Sequence, residues 1–437
     1  MKRQLVFALV GLALAVNLGV GARVYMSAPK LTDGDEDTRT NLELFNEVIQ
    51  KIRTDYVDGK DLTSQQLVYS ALRGAVSKLD PHSEFLDADS YQDLQDDTEG
   101  QFGGLGLVVQ MKNGFVTVVA PMDDSPGLRA GILAGDRIMQ VEGTNIEKQI
   151  LTDVVKQLRG PAGSVVSLTV YRPSTKVTKT YQLKRAVIQM AMVKDLDGKR
   201  NFPLLTNGVG YVQILQFGEK TGAELQTALD KLKSQGMKGL IIDLRWNPGG
   251  LLDEAVEVCE KFLPKGSLVV STEGRRAVEK YAAEGSGDEL PGLPIVVLVN
   301  LDTASAAEIV TGCLQDYHRA VVLGEKTFGK GSVQTIFPFD DGSALKLTVA
   351  KYYTPSHKVI HQKGITPDIL VPVTDAEEAA QILKREPGGA DSLPDAERKH
   401  VEGMADQQLE RAEDLLKGLI LYQKLVHVPG TQKMAEK

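Results

Sequence analysis

The chain has little of what redox, metal-binding and nucleic-acid-binding proteins depend on. Its 437 residues include only two cysteines and six histidines. Cys259 and Cys313 lie in apolar, helix-like segments without a CxxC motif, so we interpret them as two buried thiols, with a disulfide between them as the alternative. The histidines form no HExxH motif or other zinc-ligand spacing. The sequence therefore predicts neither a metal site nor a cofactor.

The chain also carries no excess of positive charge. The formal net charge is −8 at pH 7, and no long basic run occurs outside the N-terminus. Nucleic acid is therefore not expected as a partner. Apolar residues make up 42% and charged residues 25%, as in an ordinary globular protein, and the length is sufficient for two or three domains. The chain contains no internal repeats.

One long apolar run is present, and it lies at the N-terminus. Residues 5–22 are almost wholly apolar and follow a short basic stretch, residues 1–3. This pattern predicts a signal peptide with a cleavage site near Val20-Gly21-Ala22, or an uncleaved membrane anchor, because about 18 apolar residues are near the lower limit for a spanning helix. We assign residues 1–28 to this segment. Both alternatives place the rest of the protein in a bacterial periplasm or cell envelope, anchored to the inner membrane if the segment is retained.

The rest of the chain divides into four regions by composition and periodicity. Residues 29–95 combine a polar, acidic linker with apolar residues at helical spacing, which predicts a helical N-terminal arm. Residues 96–185 contain short β-rich runs. Residues 186–374 alternate strand-like and helix-like segments, which indicates an α/β core with a largely parallel sheet. Residues 375–437 predict a C-terminal helical region whose last amphipathic helix packs on the protein or supports a dimer.

Four glycine-rich and β-rich segments follow one another in the second region: FGGLGLVV, SPGLRAGI, GDRIMQVEG and LRGPAGSVVSLTVYR. In this order they resemble a PDZ domain of the kind found in bacterial proteases. In such a domain a glycine-rich turn offers N–H groups to a carboxylate, and the adjoining strand pairs with an extended peptide beside a helix. The predicted peptide-binding residues are Gly103, Gly104, Leu105, Gly106, Leu107, Val154 and Leu158.

A serine, a lysine and a glutamine stand out in the α/β region. Ser305 follows the apolar run 295–299 at the start of a helix-like segment, Lys330 lies 25 positions later in FGKGS, and Gln334 follows it. A serine nucleophile needs a base, and a buried lysine can serve because burial lowers its pKa. Each residue also has an ordinary interpretation: Ser305 as a helix N-cap, Lys330 as a turn residue and Gln334 as a solvent-facing strand residue.

The segments TASAAEI and TFGKGSVQ resemble, in sequence and spacing, the active site of the C-terminal processing (tail-specific) peptidases, which use a Ser–Lys dyad. The resemblance spans residues 40–425 and implies that Ser305 is the nucleophile, Lys330 the general base and Gln334 the residue that orients the lysine amine. Many members carry a second serine where this chain has Ala307, a difference that leaves the nucleophile unchanged. The implied fold is an α/β protease core, crotonase-like with a mixed sheet and helices, with an inserted α+β PDZ domain and helical N- and C-terminal extensions.

An acyl transfer also needs an oxyanion hole. The N–H of Ala306, beside the nucleophile, supplies one donor. The NPGG turn supplies the second through Gly249 or Gly250, and the sequence leaves that choice open. By resemblance, Arg159 at the end of the PDZ helix is a candidate link between peptide binding and the active site, with a solvated surface arginine as the alternative.

Together these features predict an envelope serine endopeptidase that recognises an apolar free C-terminus through its PDZ domain and cleaves through an acyl-enzyme. A catalytically silent PDZ scaffold is the main alternative, but intact Ser305, Lys330 and Gln334 argue against it. An enoyl-CoA hydratase-like activity fits poorly with an export signal and a PDZ domain. The resemblance also implies a homo-oligomer built by the helical arm, unless the arm packs only on its own domain. It further implies a lipoprotein adaptor. The apolar N-terminal segment predicts membrane contact if it is an uncleaved anchor.

Overall fold

The structure covers most of the chain that follows the predicted export segment. The computed structural model describes residues 36–426 except 60–61, 123, 148, 286, 386–388 and 391–392, so the prediction for residues 1–28 lies outside the described residues. Within the described part of the chain, no helix is long and apolar enough to cross a membrane. The chain divides into two compact units, one ending at Phe85 and one beginning at Leu86.

The described part of the first unit contains two helices, α1 (Glu36–Asp55) and α2 (Ser64–Val76). The Thr63 hydroxyl accepts a hydrogen bond from the Gln66 N–H at 3.1 Å, and the Gln66 side chain accepts one from the Thr63 N–H at 2.9 Å, so α2 begins with a capping box. Several apolar side chains of α1 nevertheless stay 39–63% exposed: Leu42, Leu44, Phe45 and Val48. The arm therefore presents an apolar face that its own described residues leave uncovered.

A short strand, β1 (Glu84–Leu86), crosses the boundary, and the second unit holds the other elements. Its other strands are β2 (Gln101–Gly104), β3 (Leu107–Lys112), β4 (Phe115–Pro121), β5 (Arg137–Val141), β6 (Thr144–Asn145), β7 (Val165–Arg172), β8 (Val177–Lys184), β9 (Ala186–Gln189), β10 (Val193–Lys194), β11 (Val209–Ile214), β12 (Gly239–Asp243), β13 (Leu268–Gly274), β14 (Val278–Ala282), β15 (Ile295–Val299), β16 (Val321–Gly324), β17 (Ser332–Pro338), β18 (Ala344–Tyr353) and β19 (Ile369–Leu370). Its helices are α3 (Ala88–Glu99), α4 (Pro126–Arg129), α5 (Leu151–Leu158), α6 (Thr221–Ser234), α7 (Leu252–Glu260), α8 (Ala306–Asp316), α9 (Asp375–Arg385), α10 (Asp395–Gly403) and α11 (Gln407–Val426).

The region predicted to be PDZ-like forms an antiparallel sheet in the order β3-β4-β5-β7-β8, with β6 paired to β5. Alternating apolar residues of these strands point into one core, as expected for a sheet with one buried face. Val154 and Leu158 of α5 are buried in the same core, and Leu107 of β3 packs against it. Among the described residues β3 pairs only with β4, so its other edge is available to an extended peptide.

A two-stranded ribbon joins this sheet to the rest of the unit. β2 enters the inserted region and β9 leaves it, and the two pair antiparallel with Gly104 opposite Ala186 and Gln101 opposite Gln189. Gly103 packs tightly here, because an added Cβ would lie 2.1 Å from the Gly160 carbonyl oxygen. The inserted region is thus connected to the core through neighbouring strands.

The central sheet runs in the order β10-β11-β12-β15-β16-β19, and every pair is parallel except β10 with β11. Every residue of β11, β12 and β15 is buried, as is typical of strands covered on both faces. One face packs on α6, α7 and α8, and the other packs on α11 through Leu409, Ala412, Leu416 and Ile420. The predicted α/β core with a mixed sheet is therefore confirmed, and the last helix is one of its layers.

A second, antiparallel sheet stands beside the central one. It contains β17, β18, β13 and β14, each paired with the next. The sequence indicated the strands SLVVST and ALKLTVAKYY but not that they pair with each other in a separate sheet. The loop that contains Lys330 leads directly into β17, so this sheet determines where the lysine lies.

Both cysteines are free and fully buried, as predicted. Cys259 lies on α7 and Cys313 on α8, and the two thiols contact each other in the core beneath the central sheet. Burial raises the pKa of the Cys259 thiol well above its ordinary value, and the neighbouring thiol adds to the shift. The Cys259 thiol therefore stays protonated and unreactive at neutral pH.

A buried charged cluster connects the central sheet to the C-terminal region. Arg245, just after β12, forms paired hydrogen bonds with Asp243 at 2.7 and 3.0 Å and with Asp406 at 2.8 and 2.9 Å. Arg385 of α9 donates to the same two carboxylates at 3.1 and 3.3 Å, and the Tyr211 hydroxyl donates to Asp243 at 2.8 Å. Two cations thus balance two anions where water is excluded.

Acid is expected to weaken the second unit through Asp243. Burial alone raises the pKa of its carboxyl, but Arg245, Arg385 and the bond from Tyr211 outweigh burial and lower the pKa to about 2 from the usual 3.8. Because the folded-state value is the lower one, the stabilisation is complete above about pH 4 and is lost towards pH 2, and it amounts to about 2 kcal/mol. The urea midpoint of the native chain should therefore fall across this range. It should fall less in Asp243→Asn, and an equal fall in both proteins would contradict this assignment.

Candidate active site

Ser305 lies beyond the carboxyl end of β15, at the start of α8, in the position where open α/β sheets place their sites. Its backbone has φ 56° and ψ −122°, a conformation that side-chain-bearing residues seldom adopt. The Ser305 N–H donates to Glu308 Oε2 at 3.0 Å, and the Ala304 N–H donates to the Asn247 carbonyl at 2.9 Å. Specific bonds on both sides therefore hold this uncommon conformation in place.

One buried carboxylate joins the serine to the lysine loop. Glu308 is fully buried in the first turn of α8. Its Oε2 accepts from the backbone N–H groups of Ser305 at 3.0 Å and Lys330 at 2.8 Å. Its Oε1 accepts from the Gly329 N–H at 2.8 Å and from the Thr327 hydroxyl at 2.5 Å. Burial raises the pKa of Glu308, and these four hydrogen bonds act in the opposite direction.

The Lys330 amine is partly removed from water. Burial lowers its pKa from the usual 10.5, the like charge of Lys346 lowers it further, and the Glu308 carboxylate opposes both. The Tyr352 hydroxyl donates to the Lys330 carbonyl and lies within reach of the Ser305 hydroxyl. Burial raises the pKa of Tyr352 well above its ordinary value, so it remains a neutral donor. The surroundings thus favour the neutral amine that a general base requires.

Ser305 and Lys330 open into the same cavity of about 280 Å³. Its polar wall also includes Gln334, Lys346 and Tyr352. Its apolar wall is built by Phe217, Leu251, Leu252, Ile309 and Val333. The arrangement combines a hydroxyl, an amine of lowered pKa and an apolar surface, which are the components of an acyl-transfer site that accepts an apolar side chain.

The two glycines of the NPGG turn differ in how their N–H groups are used. The Gly249 N–H donates to Asn247 Oδ1 at 2.8 Å. Among the described residues, nothing accepts a hydrogen bond from the N–H of Gly250 or of Ala306, and both residues line the cavity. Gly249 serves close packing, because its φ is 102° and an added Cβ would lie 2.5 Å from the Ser305 Cβ.

Gln334 lies on β17 and lines the cavity with Lys330. Its amide donates to Ser332 Oγ at 2.9 Å and to Thr348 Oγ1 at 3.3 Å. None of the hydrogen bonds within the described part of the chain joins it to the Lys330 amine. The structure thus brings the glutamine to the site, with its amide held by the β17–β18 hairpin.

The predicted peptide-binding residues occupy two environments. Gly103 and Gly104 are paired in the ribbon, while Leu105 and Gly106 form the turn into β3, which begins at Leu107. Val154 and Leu158 are 0% and 6% exposed, so in this structure they belong to the core of the β3–β8 sheet.

Arg159 follows α5 and is directed away from that core. One of its terminal nitrogens lies 3.5 Å from Asp93 Oδ1 on α3, and its guanidinium lies 4.6 Å from the centre of the Phe102 ring in the ribbon. Burial raises the pKa of Asp97 on the same helix, while the charge of Arg159 opposes the shift. Arg159, at the end of α5, therefore contacts both the ribbon and α3.

Sequence reasoning missed Glu308, Tyr352 and Asn247. The spacing S-x-x-E from Ser305 to Glu308 is that of a capping box and could have identified the glutamate. Asn247 lies in the NPGG turn, for which the sequence predicted a role of the glycine N–H groups alone. Tyr352 reaches the site only through the pairing of β18 with β17, and no local pattern marks such a residue.

Comparison with known proteins gives matches over most of the chain. A model of peptidase family S41 matches residues 208–371, and a PDZ domain model matches residues 117–172. A carboxy-terminal-processing protease of Bartonella bacilliformis is 40% identical over 376 residues, which are 85% of this chain and 83% of that protein. A probable CtpA-like serine protease of Staphylococcus epidermidis is 39% identical over 339 residues, 77% of this chain and 67% of that protein. Among solved structures, a photosystem II D1 C-terminal processing protease is 30% identical, with 79% of this chain and 98% of that chain covered and a TM-score of 0.43.

Proposed function

Because the chain belongs to peptidase family S41 and is a serine-type endopeptidase with a PDZ domain, we propose that Ser305 is its nucleophile and Lys330 its general base. The observation that carries this assignment is the Glu308 carboxylate, which binds the backbone of both residues. Both side chains then face one cavity, and the pKa of the amine is lowered by burial. The family membership confirms the predicted peptidase over a silent scaffold and over a hydratase-like enzyme.

The proposed reaction follows the usual course of acyl transfer. The neutral Lys330 amine accepts the hydroxyl proton as Ser305 Oγ attacks the scissile carbonyl carbon. The lysine ammonium then gives that proton to the leaving amine, and the acyl-enzyme remains on Ser305. Water attacks the ester, with Lys330 again as the base, and releases the new carboxylate and the free serine. Each step moves one proton between groups in the same cavity.

We assign the oxyanion hole to the N–H groups of Gly250 and Ala306. The support is that no described residue accepts a hydrogen bond from these donors, which line the cavity beside Ser305, whereas the Gly249 N–H donates to Asn247. Such donors act by being directed in advance at the charge that develops on the carbonyl oxygen. Gly249 then contributes by letting the turn approach the serine.

We propose that substrates are recognised by an apolar free C-terminus bound to the inserted domain. The available edge of β3 suits an extended chain, and the turn at Leu105 and Gly106 supplies backbone N–H groups near the strand end where a carboxylate would lie. Arg159 is the proposed link to the core, since it contacts α3, whose residues Leu94 and Thr98 line the catalytic cavity.

Several further predictions belong to the same proposal. One is that the core is crotonase-like, which fits its layered sheet. Another is that the terminal helices are extensions of this core, which fits the position of α11. Export to a bacterial envelope is proposed from the apolar segment within residues 1–28. The exposed apolar face of α1 suits a homo-oligomer. A lipoprotein adaptor is proposed from family resemblance alone.

Amidating the C-terminus of a substrate is expected to raise KM about tenfold and leave kcat within about twofold, because a buried carboxylate loses its charge-assisted hydrogen bonds to backbone donors. The measurement uses the full chain and an unfolded reporter protein that ends in an apolar tail, free or amidated. Equal KM values for the two tails would refute recognition of the carboxylate.

Two controls separate recognition from chemistry. Ser305→Ala should abolish cleavage of both tails and still bind the free tail more tightly than the amidated one. Cleavage that survives in Ser305→Ala would refute the nucleophile assignment. The tail preference is a separate measurement, so either half of the proposal can fail alone.

A further inference from the structure

The C-terminal helical region reaches both loops that carry the proposed catalytic groups. Glu378 of α9 accepts hydrogen bonds through Oε1 from the Trp246 indole N–H at 3.2 Å and from Asn300 Nδ2 at 3.3 Å. Trp246 directly precedes the NPGG turn, and Asn300 begins the loop that ends at Ser305. One side chain from outside both loops therefore contacts the two of them.

The contact orients the Asn300 amide. Asn300 Oδ1 accepts from the Trp246 backbone N–H at 2.9 Å, while its Nδ2 donates to Glu378. An amide that must present oxygen on one side and nitrogen on the other has a single productive orientation, and the carboxylate selects it. Thr303 completes the connection, because its hydroxyl donates to the Leu244 carbonyl at 2.9 Å and accepts from the Asn300 N–H at 2.9 Å.

Two cations lie against the Trp246 ring. The Arg245 guanidinium lies 5.1 Å and the Arg385 guanidinium 4.5 Å from the ring centre. Arg385 lies two turns after Glu378 on α9, so one face of that helix supplies both contacts. The Trp246 backbone has φ 59°, and surrounding contacts must maintain that conformation.

We propose that Glu378 and Arg385 are positioning residues of the peptidase, which hold Trp246 and Asn300 so that the Gly250 N–H and Ser305 keep their relative placement. This inference rests on the proposed function and extends its machinery into the C-terminal region. Neither residue lines the catalytic cavity. Their loss therefore slows the chemical step and leaves substrate binding unchanged, since a small misplacement of catalytic groups alters rate strongly.

The test compares neighbouring carboxylates in the full chain. Glu378→Ala should lower kcat roughly 10- to 100-fold with KM within about twofold. Glu378→Gln should retain most activity, because its amide oxygen can still accept the same bonds. Glu377→Ala is the matched control. Glu377 binds Thr374 and Gln407, and the variant should keep kcat within about twofold of the native value.

Tryptophan fluorescence adds a second measurement, which a general loss of stability would not change in the folded protein. Trp246 is the single tryptophan of the chain, so its emission reports on this contact alone. In Glu378→Ala the indole N–H meets water, and its emission should shift to longer wavelength with stronger acrylamide quenching. Glu377→Ala should show the native spectrum.

The outcomes divide cleanly. If kcat falls and the fluorescence changes in Glu378→Ala but not in Glu377→Ala, the proposal is supported. Unchanged kcat, an equal loss in Glu377→Ala, or a rise in KM alone overturns it. If Glu378→Ala fails to fold, Trp246→Phe keeps an aromatic ring beside the two guanidinium groups and removes the indole donor. Native kcat in that variant overturns the proposal as well. Failure of the proposed function would show differently, as native activity in Ser305→Ala or Lys330→Ala.

Discussion

Lys330→Ala is expected to lower kcat about 10⁴-fold with KM within a few-fold, a loss typical of removing the base from a nucleophile–base unit. Without the amine, the Ser305 hydroxyl keeps its proton and attacks poorly, while the unused N–H groups of Gly250 and Ala306 remain. Lys330→Arg should be equally inactive, because a guanidinium stays protonated at any pH that the fold tolerates. Steady-state cleavage of the apolar-tailed reporter measures all three proteins.

The same loop offers a matched control. Lys326 is exposed and four positions upstream, so Lys326→Ala removes a positive charge from the loop without touching the cavity, and its kcat should stay near the native value. Cleavage that survives in Lys330→Ala would assign the base to another group. A comparable loss in Lys326→Ala would mean that the loop tolerates no substitution and that the test had lost its specificity.

The pH profile should report the same amine. Activity needs the neutral form, so kcat/KM rises with pH through the pKa of Lys330, and that pKa lies below 10.5 because of burial and the charge of Lys346. Glu308 opposes the shift, and Tyr352 stays neutral across the range. In Lys346→Met one cause of the lowered pKa is gone, so the rising limb should move to higher pH. A limb that moves to lower pH would contradict the like-charge effect.

Glu308→Ala is expected to lower kcat about 10³-fold and to lower the free energy of unfolding by about 3 kcal/mol, since several buried donors lose their shared acceptor. Those donors are the N–H groups of Ser305, Gly329 and Lys330 and the hydroxyl of Thr327. The kinetic loss exceeds what destabilisation explains, because the nucleophile and the base lose their common support. Kinetics well below the melting temperature separate the two effects.

The isosteric variant sharpens the experiment. In Glu308→Gln one oxygen becomes an NH₂ group, which in either orientation of the amide faces at least one backbone N–H donor. That contact turns repulsive, and kcat should fall about 10²-fold. Glu257→Gln on α7 is the control, because that carboxylate is 47% exposed and pairs only loosely with Lys261 at 3.5 Å. Native activity in Glu308→Gln would show that the shared carboxylate does not align the dyad.

Local patterns were enough to locate the elements around the site. Apolar runs with glycine or proline at their ends marked β12 and β15, so the amino-acid sequence alone placed Ser305 and the NPGG turn beyond the ends of strands. The lysine loop was marked by its glycines. These features depend on a few consecutive residues, and sequence reasoning handles them well.

Features that depend on distant pairing could not be predicted. The separate sheet of β17, β18, β13 and β14 forms through backbone hydrogen bonds that carry no side-chain signature. Tyr352 reaches the site only through these bonds. The proposal of Gly250 rather than Gly249 as an oxyanion-hole donor rests on the position of the Asn247 side chain, which accepts a hydrogen bond from the Gly249 N–H. The last helix was expected to pack on the protein or to support a dimer, and its amphipathic pattern could not tell that it covers the central sheet.

The ribbon of β2 and β9 has an evolutionary consequence. Gly104 and Ala186 face each other across it, so the chain leaves the core and returns at almost the same point, with the two Cα atoms about 5 Å apart as in any antiparallel pair. An intervening module with adjacent ends can be exchanged for another without rearranging the peptidase around it. If the inserted domain binds substrate tails as proposed, selection can change which tails are bound by replacing this one module, while the cleavage machinery is inherited unaltered.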